Sequence, residues 1–479
     1  MSEYLIQDAT LSAIADAIRD KTGSTDAILT TQMASIISSI QTGSSVAEEN
    51  PILYTRFYDY DGTLKYEYTL DELKNLSVLP DPPSHGEENL VSQGWNWSLD
   101  DLKNLNIPMD VAALYASTDG STKLYITLTE SDDLTVSVTV NSSVANVGYI
   151  DFGDGSNISN ITVSGINTIS HTYTSTGEYV ISIFRTDTTG YIRLGSHAAN
   201  DTETTGKCLS SNTILTKIVT GHARYGKYAF CNNTKLKSVV VPAYIGFTSN
   251  NSTFKGCSSL SFFCTSPADT VIGQHGLENC SSLKVLSLAS ISSNVEVYMC
   301  MGCTSLERIC LSSSSSNFYR VEEGLCKGCT RLKNVYLTEN ITSVGSHGFI
   351  GCSKLEEVSN FSNLKSIGDS AFSGCIRLKV SKISSYVSNI SNSVFANCYS
   401  LSITEMPESV KTINNFAFQS AYYSAHVITF KGTPTSISAN AFYACDGLDT
   451  INVPWSEGAV ANAPWGATNA TINYDYTGE

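Results

Sequence analysis

Positive charge is scarce in this chain, and that scarcity excludes most ways of holding nucleic acid. Its 479 residues include 29 Lys and Arg against 45 Asp and Glu, a net charge of −16, whereas phosphate backbones are gripped by clustered cations. Charge of either sign is low, at 15% of residues, so this is not the highly charged composition that keeps a chain unfolded. No stretch approaches about 18 consecutive apolar residues, which excludes a helix inserted across a membrane. Catalytic signatures are missing as well: there is no H-E-x-x-H, no G-x-S-x-G, and the seven histidines show no metal-ligand spacing. "GHARYGKY", Gly221 to Tyr228, has the glycine and lysine spacing of a phosphate loop, yet Tyr228 stands where a Ser or Thr would hold magnesium. Paired carboxylates for sugar cleavage need no sequence proximity, but with no site visible the chain reads as a non-enzyme with no cofactor and no metal.

What the sequence does have is a cysteine returning at a nearly fixed interval: Cys231, Cys257, Cys280, Cys303, Cys329, Cys352, Cys375, Cys398 and Cys445, at steps of 23 or 26 residues with one doubled step of 47. An aromatic stands three residues before Cys375 and Cys445, and a leucine three after. Repetition of this period means a solenoid. Nine cysteines in one slot read as buried thiols rather than disulfides. "CMGC" and "CKGC", with Cys300, Cys303, Cys326 and Cys329, superficially match paired zinc turns, but alignment puts Cys300 and Cys326 where Phe372, Phe395 and Phe442 stand in other repeats.

The expected fold class is multidomain: an N-terminal helical hairpin, a small α+β module, an Ig-like β-sandwich and a C-terminal leucine-rich repeat solenoid. Residues 1–44 carry two amphipathic stripes, Leu11, Ile14, Ala15 and Ile18, then Met33, Ile36, Ile37 and Ile40. Helices this short need something to pack on. Residues 45–117 contain a D-G hairpin turn at Asp61 and Gly62, with Asp59 and Asp61 read as turn formers. "TLDELKNLS" and "SLDDLKNLN" each open with a capping pattern, Thr69 with Glu72 and Ser98 with Asp101. Trp95 and Trp97 suit a core or a sugar platform. Period-two strands fill 118–190, residues near 190 to 206 read as a connector, the solenoid spans 205–455 with "SSSSS" at Ser312 to Ser316 interrupting its wording, and 456–479 closes it with a cap.

Three stretches resemble known families. "LSAIADAIRDKTG" followed by "ILTTQMASIISSI" resembles the amino-terminal element of tail and baseplate-associated proteins of phages of Gram-positive bacteria. "IDFGDGS", with "HTYTSTGEYVISI", resembles the polycystic-kidney-disease type of Ig-like domain; Asp151, Asp154 and His171 read as turn and hydrogen-bonding residues, and Ile150 replaces the usual tryptophan. "SIGDSAFSGCIRL" is similar to BspA-like leucine-rich repeats, matching at Ile367, Gly368, Ala371, Phe372, Cys375 and Leu378. The resemblances imply a bacteriophage or prophage tail protein that binds a receptor. It would dock on phage tail and baseplate proteins through residues 1–44, bind a host cell-surface glycan or protein through the solenoid, and reside in the virion after a soluble stage in the host cytoplasm. The acidic amino terminus lacks the form of a secretory leader, in keeping with release by lysis. A bacterial cell-surface adhesin and a purely structural tail component are the alternatives, and assembly as a homo-oligomer stays open, with no heptad to define its seam.

Candidate receptor contacts are the positions alternating with the buried leucines, Lys284, Ser287, Arg308, Asn334, Tyr336 and Glu357, expected to face solvent, together with Trp455 and Trp465. The two tryptophans suit an end cap or ligand contact.

Overall fold

The computed structural model describes residues 54–211, 213–243, 251–266, 273–289, 296–311, 320–422 and 426–478. The expected hairpin at 1–44 and the serine run Ser312 to Ser316 lie outside them. Strand β1 (Tyr54–Tyr58) turns at Asp61 and Gly62 into β2 (Leu64–Thr69). Helix α1 (Leu70–Asn75) starts at Thr69 with a complete capping box to Glu72. After β3 (Leu90–Trp95), α2 (Leu99–Leu105) starts at Ser98, whose hydroxyl accepts from the Asp101 amide. The central strand β4 (Asp110–Ser117) lies parallel to β1 and antiparallel to β3, giving the order β2-β1-β4-β3. All eight of its residues are buried, so the sheet is covered on both faces.

Two further sheets share one core. Strands β5 (Thr122–Leu128), β6 (Thr135–Ser142), β7 (Gly148–Asp151), β8 (Ser159–Ile161), β9 (Gly165–Thr172), β10 (Gly177–Arg185) and β11 (Ile192–Leu194) form them; β5, β6, β7 and β11 alternate buried and more exposed residues, whereas the centre of β10, Ile181 to Ile183, is buried throughout. They are joined edge to edge by the first solenoid strands, β12 (Leu215–Val219), β13 (Arg224–Tyr225) and β14 (Ser238–Val240). The resulting orders are β14-β12-β5-β10-β7-β8 and β13-β11-β6-β9. The segment read as a connector therefore supplies β11, which pairs with β6 on one side and β13 on the other. Tyr54–Glu479 is one compact unit, and a single buried cluster runs from Tyr58 to Ala467.

The expected fold class is corrected on its helical content: the described residues are nearly all β, with two α-helices of six and seven residues. Each helix buries one leucine, Leu73 or Leu102, too little apolar surface to sustain more than two turns.

The solenoid stacks parallel strands, and its interior explains the repeated residues. Phe349, Phe372, Phe395, Phe418 and Phe442 stack with centroids 5.1 to 6.0 Å apart. The slot cysteines form a second ladder. Each thiol of Cys257, Cys280, Cys303, Cys329, Cys352, Cys375, Cys398 and Cys445 donates to a carbonyl of the preceding repeat, at 2.9 to 3.3 Å. A thiol suits this place because it fills apolar volume while still offering a weak donor. Cys300 and Cys326 hold the aromatic slot: their amides donate to Leu325 O and Gly348 O just as that of Phe372 donates to Val394 O.

Candidate functional site

A repeat surface can bind only where its outward residues reach solvent, and the leucine strands divide sharply in this respect. Leu283, Leu286, Leu306, Leu332 and Leu355 are fully buried, as their spacing requires. Among the outward positions, Lys284 and Glu357 are exposed and Asn334 is half-buried; Asn334 Nδ2 donates to Glu357 Oε2 at 3.3 Å across paired strands.

Ser287, Arg308 and Tyr336 are corrected: they alternate with the leucines but do not face solvent. The sheet of β1 to β4 covers them. Ser287 Oγ donates to Asp110 O at 2.6 Å and accepts from Asn96 Nδ2 at 2.9 Å. Trp97 Nε1 donates to Leu288 O at 2.9 Å, and Asn96 Nδ2 reaches Thr265 O at 3.2 Å. Arg308 grips the buried Asp110 carboxylate, with Nε 2.9 Å from each oxygen, and donates also to Tyr54 O and Met109 O. Burial opposes the charge of Arg308, but Asp110 outweighs it and drives the guanidinium pKa up. Burial likewise pushes the Tyr336 hydroxyl up to about 12.

Trp455 and Trp465 are corrected as contacts too. They are 5% and 0% exposed, meet each other at 6.2 Å and pack on Phe430, closing the last apolar layer. Trp97 is buried, and Trp95 is half-buried with its indole N–H on Pro80 O.

Beyond Asn334 the surface opens on two faces. On the leucine-strand face Glu405, Thr429, Asn452 and Asn473 align in register; Glu405 and Asn473 are exposed, Thr429 is half-buried and Asn452 is buried, with Asn473 Nδ2 donating to Asn452 Oδ1 at 2.8 Å and Asn452 Nδ2 to Thr429 Oγ1 at 3.2 Å. A second face was missed by sequence reasoning. It consists of two-residue strands whose outward residues are Arg320, Ser343 and Ser366, then Asn389, Thr412 and Ser436. Their inward neighbours Val321, Val344, Ile367, Ile390, Ile413 and Ile437 are buried. Ser343 and Ser366 share a hydrogen bond at 2.6 Å, and Thr412 donates to Asn389 Oδ1. The available signal was the polar residue directly before the isoleucine in "SIGDSAF", "NISNSVF" and "SISANAF". Strands spaced about 4.8 Å apart set the outward residues of each sheet in a row of mostly short polar groups, the short-strand face being made of two three-stranded sheets.

Other residues with chemical potential are occupied structurally. Asp151 and Asp154 accept from the Gly153 and Ser156 amides, and Asp154 Oδ2 lies 2.7 Å from His171 Nε2. Asp59 does more than turn the chain: it is buried among His85, Tyr115 and Lys65. Gly226 of the phosphate-loop look-alike donates its amide to Leu194 O beside the paired strands β11 and β13. Every cysteine among the described residues is buried and outside any disulfide, and burial pushes the Cys310 and Cys445 thiols up to about 12, which removes them as nucleophiles at neutral pH. No described helix is long and apolar enough to cross a membrane.

Comparison with known proteins bears on the repeats. The family model of the BspA type leucine rich repeat region matches six copies, over residues 223–356 and 319–449. A leucine-rich repeat protein from Bacteroides ovatus is 19% identical, with a TM-score of 0.34, over 69% of this chain and 99% of its own. A leucine rich cell surface protein from Faecalibacterium prausnitzii is 18% identical, with a TM-score of 0.27, over 56% of this chain and 91% of its own. No curated protein sequence matches the chain. The family match, the 23-to-26-residue slot and the stacked phenylalanine and thiol ladders agree, and residues 223–449 are a BspA type leucine-rich repeat region.

Proposed function

We propose that this protein is a non-catalytic adhesin whose repeats bind a host-surface glycan or protein. The observation that carries this reading is the pair of open faces, where short polar side chains align repeat after repeat from Ser343 to Asn473. Each contact is weak, but many in register on one rigid support, and several copies on one particle, give avidity without high single-site affinity. At finer scale we propose a bacteriophage or prophage tail protein carried on the virion. Its residues 1–44 dock on tail or baseplate proteins, as the wording of that segment implies, and its sandwich acts as a spacer, as in the polycystic-kidney-disease-type modules it resembles.

Labelled full-length protein added to a panel of Gram-positive bacteria tests the reading. Strain-selective decoration is expected. Ser366→Lys/Asn389→Lys/Ser436→Lys and Glu405→Lys/Thr429→Lys/Asn473→Lys then identify the face, since one of them abolishes decoration while both stay folded. Decoration of no strain sinks the adhesive reading and leaves a structural tail role.

A further inference from the structure

Cations are scarce in this chain, so those left without an acid stand out. Arg56, Arg308, Arg320, Arg331 and Arg377 each hold a carboxylate. Arg193 and Arg224 hold none among the described residues, and they sit side by side. They are register partners on the parallel strands β11 and β13, and their guanidinium carbons lie 5.0 and 4.7 Å from the centroid of one ring, Tyr191. Arg224 is exposed and Arg193 half-buried, with its Nε buried and lacking any acceptor.

No neighbouring group neutralises the pair. The Lys227 amide donates to His197 Nδ1, and burial moves His197 below its ordinary pKa and keeps it neutral, while Arg185 donates to Gly190 O beside Tyr191. The nearby acid, Asp201, has its oxygens taken by Ser196 Oγ and the Ala198 amide, each at 2.6 Å. Like charges directly opposite on neighbouring strands are destabilising. Burial, with the charge of Arg224 adding to it, moves Arg193 below its ordinary pKa. A fold that tolerates such a cost in an otherwise acidic molecule has a forked pair of donors ready for an anion, since planar guanidinium groups match phosphate and carboxylate in a bidentate way.

We propose that Arg193 and Arg224, backed by Tyr191, form an oxyanion-binding site that takes a phosphate or carboxylate group. The site lies at the junction of sandwich and solenoid, apart from the open repeat faces. That its natural ligand is an acidic group on a surface polymer rests on the adhesin reading; the anion site itself does not.

Thermal unfolding and calorimetric titration of the full chain test it, using inorganic phosphate, glycerol 3-phosphate and glucuronate against sodium chloride at matched ionic strength. Phosphate esters or glucuronate are expected to raise the melting temperature above the chloride control, and the anion that does so names the source. Arg193→Gln and Arg224→Gln are each expected to weaken binding by about ten-fold. Arg224→Gln carries a second signature: without anion it melts at or above the wild-type temperature, because a like-charge contact has gone. An anion effect no larger than that of chloride, or one that survives in both variants, overturns the site. A lower melting temperature for anion-free Arg224→Gln overturns the argument from repulsion that led to it. Loss of cell decoration with intact anion binding would instead strike the adhesin reading alone.

Discussion

The first and last repeats of the solenoid use the same alternation of leucine and polar residue, yet their outward rows meet opposite fates. Ser287, Arg308 and Tyr336 lie under the sheet of β1 to β4, whereas Glu405, Asn473, Ser366 and Ser436 stand in solvent. Strand periodicity decides which residues point away from the core of a repeat. It does not decide whether another part of the chain lies over them. In this molecule the covering sheet uses the first repeats for internal cohesion and leaves the later ones open to solvent.

The sharpest way to break the comparison is at Asp110. Asp110→Asn removes the carboxylate that neutralises Arg308 under the covering sheet, and stranding one partner of a buried pair costs roughly 3–5 kcal/mol. Glu357→Gln, on an exposed outward position of the same face, is expected to change stability by less than about 0.5 kcal/mol. Urea unfolding of the two variants measures the contrast, and equal losses would mean that the covering sheet contributes no more than surface decoration. Next in size is Trp97→Phe. It keeps a ring in place but leaves the Leu288 carbonyl without its indole donor, at a cost of about 1–3 kcal/mol. A smaller loss belongs to the open half. Cys375→Ala removes a fully buried thiol that donates to Phe349 O and is expected to cost about 1 kcal/mol in the urea midpoint, from the lost packing and hydrogen bond together.

How much of this was legible depended on range. The slot residues repeat within about 25 positions, so Cys300 and Cys326 could be assigned to the aromatic slot from wording alone. The caps at Thr69 and Ser98 are four-residue signals and were equally readable. Arg308 was misplaced because its partner Asp110 lies 198 residues earlier, and no local pattern encodes such a contact. A clue existed in "DVAALYAS", which lacks the alternation of a half-exposed strand and so required cover on both faces. Tyr336 and Ser287 carried no such mark. The short-strand face was overlooked for a different reason: strands of two residues are too brief for periodicity to register.

The smallest expected effect sharpens the comparison most. Ser366→Glu and Ser436→Glu place a carboxylate on the open short-strand face, where water can solvate it, so the urea midpoint should hold within about 0.5 kcal/mol of wild type. The same change at Ser287 would bury that carboxylate against the Asp110 carbonyl and cost several-fold more. Should the open-face variants instead lose stability at high protein concentration but not after dilution, the face is buried between copies of this chain, because only a subunit contact makes stability depend on concentration. The openness of the later repeats would then belong to the isolated chain, and the ligand-binding surface would have to be sought on the leucine-strand row from Glu405 to Asn473.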